Sequence, residues 1–309
     1  MPNDVTQGHT SWVRPLDESL YDLDEEQVNF FKTATGIQGD EEVKRHIIAV
    51  QTKAFEIYQY PSIRIFEFAR LKIARLPAYP DLLRLGKERK GAILLDLGCC
   101  FGNDAYKAVQ DGYPSENVIA SDLSKPLWDL GYELFRATPE SFPVAFVAGD
   151  VLDPSFLAVP DPANLSPPPT SPPPALNTLT SLNPLRGHIS AVFAGAFFHL
   201  FSFPLQTQLA RQVASLLSPL PGSLIFGKHG GRPTKCIWSP GGEQNGYSMS
   251  CHSPDSWKAM WEEVFRELGG GKVEVKVELK EEIGGLSFWG TWPGNEDPYM
   301  VLEWSVTRL

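Results

Sequence analysis

The sequence is poor in basic side chains. Of its 309 residues, 27 are lysine or arginine and 37 are aspartate or glutamate, which gives a formal net charge of −10. Proteins that bind nucleic acid draw their affinity mainly from basic side chains set against phosphates. The charge balance therefore argues against a nucleic-acid partner and favours a small-molecule ligand.

Long apolar runs are also missing. No stretch approaches the roughly 20 apolar residues that are needed to cross a bilayer. The first residues lack the basic start and the apolar centre of a secretory signal. Hydrophobic residues nevertheless make up 42% of the chain, which is enough to build a full core. We therefore expect a cytoplasmic globular protein without a membrane span.

Cysteine is scarce, with four residues in the whole chain. A disulfide framework or a zinc site would show paired C-x-x-C spacing or clustered histidines. Neither pattern is found around Cys99, Cys100, Cys236 and Cys251. We expect reduced thiols and no metal centre.

The most informative stretch that is present is AILLDLGCCFGND, at residues 92–104. Its apolar part, residues 93–97, has the length and composition of a buried parallel strand, and Gly98 and Gly102 bracket a tight strand-to-helix turn. The G-K-[ST] end of a phosphate loop and the dinucleotide motif G-x-G-x-x-G are both absent. Asp96, two residues before Gly98, instead suits a cationic ligand that bears an ammonium and a sulfonium.

The segment LDLGCCFG, residues 95–102, resembles the first motif of the class I S-adenosylmethionine-dependent methyltransferases, hh(D/E)hGxGxG, although Cys100 replaces the middle glycine. Taken together with AFFHLF at residues 196–201, it is similar to fungal small-molecule O-methyltransferases of meroterpenoid pathways. Those enzymes methylate a carboxylate on a polyketide–terpenoid hybrid. The resemblance covers residues 50–270 approximately.

This resemblance implies an α/β, Rossmann-like fold with a seven-stranded, mostly parallel sheet and an antiparallel C-terminal strand. The chain divides into an N-terminal helical cap over residues 1–90 and a methyltransferase core over residues 91–309. Within the core, the proline-rich stretch 160–187 breaks the pattern of strands and helices. Because proline cannot continue a helix or an interior strand, we expect an exposed insertion there.

The cofactor implied by the resemblance is S-adenosyl-L-methionine. Asp96 and the 98–102 backbone would hold its amino-acid end. Asp122 lies 20 residues beyond Gly102, close to where α/β nucleotide-binding units place the carboxylate that binds the ribose hydroxyls. By resemblance, Asp150 would take the adenine amino group and Val151 would lie against the ring. The remaining candidates flank these positions: Cys99, Asn103, Asp104 and Leu123.

The acceptor site is predicted at the aromatic segment that follows the fourth strand. Phe197 and Phe198 indicate an apolar acceptor, and His199 is a titratable group at the edge of the sheet where ligands bind. His199 would act as a general base if the acceptor is a phenol or an alcohol. It would orient the acceptor by a hydrogen bond if that group is a carboxylate. His229, in a basic loop predicted after a strand that ends at Gly227, is a second candidate.

Tyr58, Tyr60 and Arg64 are predicted to form a lid over the cofactor, as part of the N-terminal cap. The arginine suits bidentate binding of a carboxylate, either of the substrate or of the cofactor. Packing of this region against the sheet, without a role in binding, is the alternative.

Two rival functions remain open from the sequence alone. One is a nicotinamide-dependent oxidoreductase, which the missing G-x-G-x-x-G disfavours. The other is a methyltransferase-like binding protein that has lost catalysis, for which Cys100 in the glycine turn gives some support. Residues 194–197 lack the Asn- or Asp-Pro-Pro-aromatic motif of many N-methyltransferases, so methylation of oxygen is favoured. A homodimer is compatible with the sequence.

Overall fold

The structure is a computed structural model, and it describes residues 14–161, 169, 171–239, 248–269, 271–282 and 298–309. The first part of the predicted cap and part of the proline-rich stretch lie outside the described residues. No helix in the described ranges is long and apolar enough to cross a membrane.

A seven-stranded sheet forms the centre of the protein, in the order β3-β2-β1-β4-β5-β9-β8. Neighbouring strands from β1 to β5 are parallel, and β9 runs antiparallel to both β5 and β8. This arrangement confirms the predicted fold. The strands are β1 Ile93–Leu97, β2 Val118–Asp122, β3 Ala145–Ala148, β4 Ile189–Gly195, β5 Leu224–Gly230, β8 Val273–Glu281 and β9 Met300–Arg308.

Helices cover both faces of the sheet, which explains why all five residues of β1 are buried. The helices that surround or precede the sheet are α1 Glu25–Thr35, α2 Asp40–Ile57, α3 Pro61–Arg64, α4 Tyr79–Glu88, α5 Asn103–Gln110, α6 Lys125–Leu134, α7 Pro154–Leu157, α8 Phe203–Leu216 and α9 Pro254–Glu267.

The N-terminal helices form a layer with its own hydrophobic cluster. Helix α1 begins with a capping box between Asp24 and Gln27 and ends at Gly36 in the left-handed conformation. The cluster joins this layer to the core through side chains of the β1–α5 turn and of α6, among them Phe101 and Phe135. Such packing holds the segment that follows α3 beside the glycine turn.

Strand β5 is longer than the sequence predicted. We expected it to end at Gly227 and to lead into a mobile basic loop, but its pairing with β9 continues to Gly230 opposite Val301. That expectation was therefore wrong, and Lys228 and His229 are strand residues. The pairing of backbone groups with β9 outweighs the polar character of these side chains.

A second, two-stranded sheet was also missed. Strands β6, Cys236–Trp238, and β7, Met249–Cys251, pair antiparallel with each other. The ribbon packs through Trp238 and Met249 against Ile65 of the cap and Tyr299 at the start of β9. It therefore lies close to the end of β5.

Candidate active site

The turn after β1 is held by backbone hydrogen bonds to the neighbouring strand. The N–H groups of Gly98 and Cys99 donate to the Ser121 carbonyl at 2.8 and 3.2 Å, and the Gly102 N–H donates to the Cys99 carbonyl at 2.8 Å. Three residues of this turn have left-handed backbones: Gly98 (φ +75°), Cys100 (φ +53°) and Gly102 (φ +77°). Cys100 adopts this conformation despite its side chain, which packs against the N-terminal cluster. A cysteine can therefore replace the middle glycine of the motif, because its side chain packs against the N-terminal cap.

Asp122 ends β2 directly beside this turn. Its Oδ2 accepts a hydrogen bond from the Cys100 N–H and its Oδ1 accepts one from the Ser124 N–H, both at 2.9 Å. Burial raises the pKa of Asp122, although both of these bonds favour the ionised form. A carboxylate can accept about four hydrogen bonds. The fixed oxygens therefore retain the capacity to accept two ribose hydroxyls.

Tyr60, the second predicted lid tyrosine, lies near enough to Asp122 for that carboxylate to influence its pKa. Burial, together with the charges of Tyr58, Asp122 and Cys100, raises the pKa of its phenol. Tyr58, which the sequence analysis selected, is 44% exposed and stands 4.8 Å from Tyr60 between ring centroids. Leu123, another candidate, is 72% exposed at the rim of the site.

Asp96 and Asp104 lie below the turn among buried charges. Asp96 Oδ2 accepts a hydrogen bond from the Ala105 N–H at 3.2 Å, while Asp104 Oδ1 accepts from the backbone N–H groups of Lys72 at 3.2 Å and Ile73 at 2.9 Å. Burial and the neighbouring Asp104 raise the pKa of Asp96 well above its usual value. Burial would lower the pKa of Lys72, but the charges of Asp104 and Glu67 outweigh it and raise that pKa. Asp104, at the start of α5, thus connects the core to the cap through these two backbone hydrogen bonds.

The third strand brings two more candidates to the same edge. Asp150 follows β3, and its Oδ1 accepts a hydrogen bond from the Leu152 N–H at 2.9 Å. Val151 is buried, and its carbonyl accepts a hydrogen bond from Gln212 Nε2 at 3.0 Å. The Gly149 N–H donates to the Asp122 carbonyl at 3.1 Å. This bond links the predicted adenine and ribose positions through the backbone.

His199 lies in a 3₁₀ turn, Phe198–Leu200, just beyond β4. The Gly230 N–H at the end of β5 donates to its Nδ1 at 2.8 Å. Since Nδ1 is the acceptor, the proton of the neutral ring is on Nε2. Burial lowers the pKa of His199 to about 4, so the ring is neutral at physiological pH. His199 is therefore held as a hydrogen-bond donor through Nε2.

The side chains behind His199 form an aromatic wall. Phe198 is fully buried and meets Trp257, Trp261 and Trp304 edge to face. His229 accepts a hydrogen bond at Nδ1 from the Trp304 indole N–H at 3.0 Å, and burial lowers its pKa well below the usual value. Phe198 and His229, which were predicted to bind substrate, are buried in the core, and the His229 ring lies 6.1 Å from that of His199 between centroids. Trp257 was not among the predicted site residues, and its ring lies 4.5 Å from that of His229 between centroids.

Phe197 connects the acceptor side to the cofactor turn. A Cβ added to Gly98 would lie 2.6 Å from Cδ2 of Phe197, which shows how closely the ring covers that glycine. The other face of Phe197 packs on Phe201, with ring centroids 5.1 Å apart.

Arg64 contacts two residues near the N-terminal end of the described part of the chain. Its Nε donates to the Pro15 carbonyl at 2.7 Å, and its Nη2 lies 3.8 Å from Asp17 Oδ2. These contacts tie the N-terminal segment to the cap. A role for Arg64 in binding substrate stays a prediction.

Glu67 was missed by the sequence analysis. It is 3% exposed, and neither carboxylate oxygen has a hydrogen-bond partner among the described residues. A single acid among the apolar residues of IFEFA, residues 65–69, is the signal that could have drawn attention to it. Asn103, a predicted cofactor residue, donates from Nδ2 to the Arg70 carbonyl at 2.9 Å and so fixes the segment that carries Glu67.

Replacing His199 with asparagine is expected to change the pH dependence of stability. An unfolded histidine has a pKa of about 6.5, whereas burial lowers the pKa of His199 to about 4 in the folded protein. As the pH falls from above about 6.5 towards about 4, the unfolded state therefore binds a proton that the folded state does not, and the folded protein loses stability. Wild type should lose about 1 kcal/mol relative to His199→Asn between pH 7.5 and 5.5. The asparagine carbonyl can still accept from Gly230, and the other histidines titrate in both proteins. Urea unfolding at both pH values measures the difference, and a pH-independent difference would contradict the assigned environment.

Taken together, the glycine turn after β1, the carboxylate that ends β2 and the polar cluster under the turn fit S-adenosylmethionine, whose charged amino-acid end and ribose need such partners. Within the described ranges, no group of three or more His, Cys, Asp or Glu side chains could hold a metal ion. The fold and the site define a class I S-adenosylmethionine-dependent methyltransferase.

Comparison with known proteins identifies the family. Residues 15–69 match the model of the meroterpenoid methyltransferase N-terminal domain. The O-methyltransferase phiE of a fungal species (strain ATCC 74256) is 32% identical over 263 residues, which cover 82% of this chain and 79% of phiE. The methyltransferase ausD of Penicillium brasilianum is 31% identical over 276 residues, covering 87% of this chain and 84% of ausD. The chain belongs to this family of fungal secondary-metabolite methyltransferases.

Among solved structures, the chain is similar to the Burkholderia thailandensis 1,6-didemethyltoxoflavin-N1-methyltransferase, which was crystallised with 1,6-didemethyltoxoflavin and S-adenosylhomocysteine. The similarity covers 85% of this chain and 89% of that protein at 13% identity, with a TM-score of 0.47.

Proposed function

We propose that this methyltransferase acts on a carboxylate oxygen of a small, largely apolar natural-product acid and forms a methyl ester, in a meroterpenoid or related terpenoid pathway. The observation that carries the proposal is the hydrogen bond from Gly230 to Nδ1 of His199. The match to the meroterpenoid methyltransferase model and the name of phiE, an O-methyltransferase, support the substrate class and the oxygen acceptor.

S-adenosylmethionine supplies the activated methyl group on its sulfonium when it is bound. The share of the protein is to hold the acceptor oxygen in line with that methyl group and to exclude water. Phe197 and Phe201 give the acceptor side an apolar wall next to the glycine turn. His199, just beyond β4, is then the polar group that fixes the acceptor oxygen.

The protonation state of His199 separates a carboxylate from a phenol. A phenol has a pKa of about 10, so its methylation at neutral pH benefits from a base that removes the proton. In neutral His199 the Nδ1 lone pair is occupied by the Gly230 N–H and Nε2 carries the proton, so neither nitrogen is ready to accept one. A carboxylate is already ionised at neutral pH and needs only orientation. A donated hydrogen bond from Nε2 provides it.

Two substitutions of His199 test this role, because each keeps one half of its hydrogen bonding. Glutamine places an amide N–H near the position of Nε2, whereas asparagine keeps an acceptor for Gly230 but is too short to reach further. With a pool of apolar polyketide–terpenoid acids as acceptors, we expect His199→Asn to lower the rate of methyl transfer about 10- to 100-fold, the value of one hydrogen bond to a charged group. His199→Gln should retain most of the rate.

The pH profile provides the second readout. For an orienting donor, the rate of the wild-type enzyme should be constant between pH 6.5 and 9, since His199 stays neutral and the acceptor stays ionised over that range. A rate that rises with pH over this range would instead show that the acceptor must lose a proton, and together with equal loss of activity in both variants it would assign the acceptor as a phenol or alcohol.

A further inference from the structure

Glu67 is a buried acid without a hydrogen-bond partner. It opens a 3₁₀ turn, Glu67–Ala69, between α3 and α4, and neither of its carboxylate oxygens is hydrogen-bonded within the described part of the chain. Burying a carboxylate whose oxygens make no hydrogen bond is costly, and the nearby charges of Arg70, Lys72 and Lys228 offset only part of that cost. A hydrogen-bond donor supplied by a ligand would satisfy the two oxygens of Glu67.

The backbone around Glu67 is fixed against the glycine turn. Phe66 adopts a left-handed backbone with φ +59°, a strained conformation for a large side chain. On the far side of Glu67, Phe68 stacks on Phe101 of the turn with ring centroids 4.5 Å apart. Lys72 Nζ donates to the Glu67 carbonyl at 3.2 Å. The position of Glu67 is therefore determined by the same turn that forms the cofactor site.

Arg70 provides a matching unsatisfied cation. Its Nε and Nη2 atoms are buried and have no hydrogen-bond partner among the described residues. Nε lies 3.9 Å from Glu67 Oε2, which is too long for a hydrogen bond. The Arg70 carbonyl accepts from Asn103 at the start of α5, so this residue is also anchored to the turn. The two side chains thus present opposite charges next to each other with their polar atoms unused.

A free amino acid group carries an ammonium and a carboxylate on one carbon, and an adjacent carboxylate and guanidinium complement it. We propose that Glu67 and Arg70 bind the amino-acid end of S-adenosylmethionine, with Glu67 accepting from its ammonium and Arg70 donating to its carboxylate. The bidentate geometry of a guanidinium with a carboxylate suits Arg70 to this role. The inference rests on the dependence on S-adenosylmethionine and is independent of the acceptor proposed above.

This assignment changes the role of Asp96. Asp96 accepts from the Ala105 N–H and lies among the charges of Asp104 and Lys72. It therefore supports the start of α5 under the turn, and contact with the ammonium passes to Glu67, which is the carboxylate with unused oxygens.

Two ligands that share a nucleoside test the proposal. S-adenosylhomocysteine contains the amino-acid end, whereas 5′-methylthioadenosine lacks it and keeps the adenine, the ribose and the sulfur. Calorimetric titration of wild type, Glu67→Gln and Arg70→Lys with both ligands measures the contribution of that end alone. Glu116→Gln, an exposed glutamate, is the matched control.

We expect Glu67→Gln to weaken S-adenosylhomocysteine binding about 10- to 100-fold, as befits a charge-assisted hydrogen bond. Affinity for 5′-methylthioadenosine should stay within twofold of wild type. Arg70→Lys keeps the positive charge but cannot donate two parallel hydrogen bonds to a carboxylate. We therefore expect a smaller loss of affinity, again confined to S-adenosylhomocysteine. Glu116→Gln should leave both affinities unchanged.

The ligand-free protein supplies an independent readout. Because Glu67→Gln keeps the shape but leaves Arg70 without its charge partner, its unfolding midpoint in urea should be no higher than that of wild type, and a cooperative transition shows that the variant is folded. Equal weakening of both ligands by a folded variant, or unchanged binding of S-adenosylhomocysteine, would each overturn the proposal. Since no acceptor is present in these titrations, their outcome is separate from that of the carboxylate assignment.

Discussion

Asp122→Ala is expected to lower the affinity for S-adenosylhomocysteine at least 100-fold. The carboxylate would lose two charge-assisted hydrogen bonds to the ribose, each worth about 1.5–3 kcal/mol. It would also release the N–H groups of Cys100 and Ser124, which it now fixes at 2.9 Å. The loss should therefore affect 5′-methylthioadenosine as strongly, in contrast to the effect of Glu67→Gln.

Asp122→Asn and Asp129→Asn serve as controls for this substitution. The first keeps the shape and one acceptor oxygen, so an intermediate loss of about tenfold is expected. The second removes an exposed carboxylate on α6 that pairs with Lys125 at 2.6 Å, and it should leave binding unchanged. Unchanged affinity of a folded Asp122→Ala protein would refute the ribose assignment.

Gly98→Ala is expected to destabilise the protein by about 3 kcal/mol, through strain of the left-handed backbone and overpacking against Phe197. The backbone has φ +75°, and the new Cβ would lie 2.6 Å from the Phe197 ring. Gly36→Ala separates the two causes. Gly36 has nearly the same backbone, φ +74°, but no atom lies within 4 Å of its added Cβ.

Urea unfolding of the two alanine variants measures the difference. Gly36→Ala should cost about 1 kcal/mol, the price of the left-handed conformation alone. The additional loss in Gly98→Ala then reports the contact between the turn and Phe197. If the two substitutions cost the same, Phe197 does not cover the turn as closely as the structure shows.

The sequence predicts the central strands well because their signal is local. A short apolar run bounded by a glycine turn, such as residues 93–97, can hardly be anything but a buried strand, and Asp122 is placed by its spacing from that turn. The end of β5 carries no such signal. Its last residues are extended by pairing with β9, whose residues lie about 70 positions further along the chain.

In the candidate site, too, features with a local sequence signal are predictable, and features that depend on distant contacts are not. Gly98 follows β1 and Asp122 ends β2, as the apolar runs before them predict, and their roles in binding stay predictions. The orientation of cap residues depends on packing between the cap and the turn, so the sequence could not choose between Tyr58 and Tyr60 or single out Glu67. The role of His199 likewise depends on the Gly230 N–H, a backbone group that no sequence pattern reveals.

The most direct test of the account is the chemical stability of the transferred methyl group. The enzyme is incubated with methyl-labelled S-adenosylmethionine and the pool of apolar polyketide–terpenoid acids, and the labelled products are treated with mild alkali. A methyl ester releases its label as methanol, and this is the predicted result. Label that survives alkali, as in an aryl methyl ether, would contradict methylation of a carboxylate.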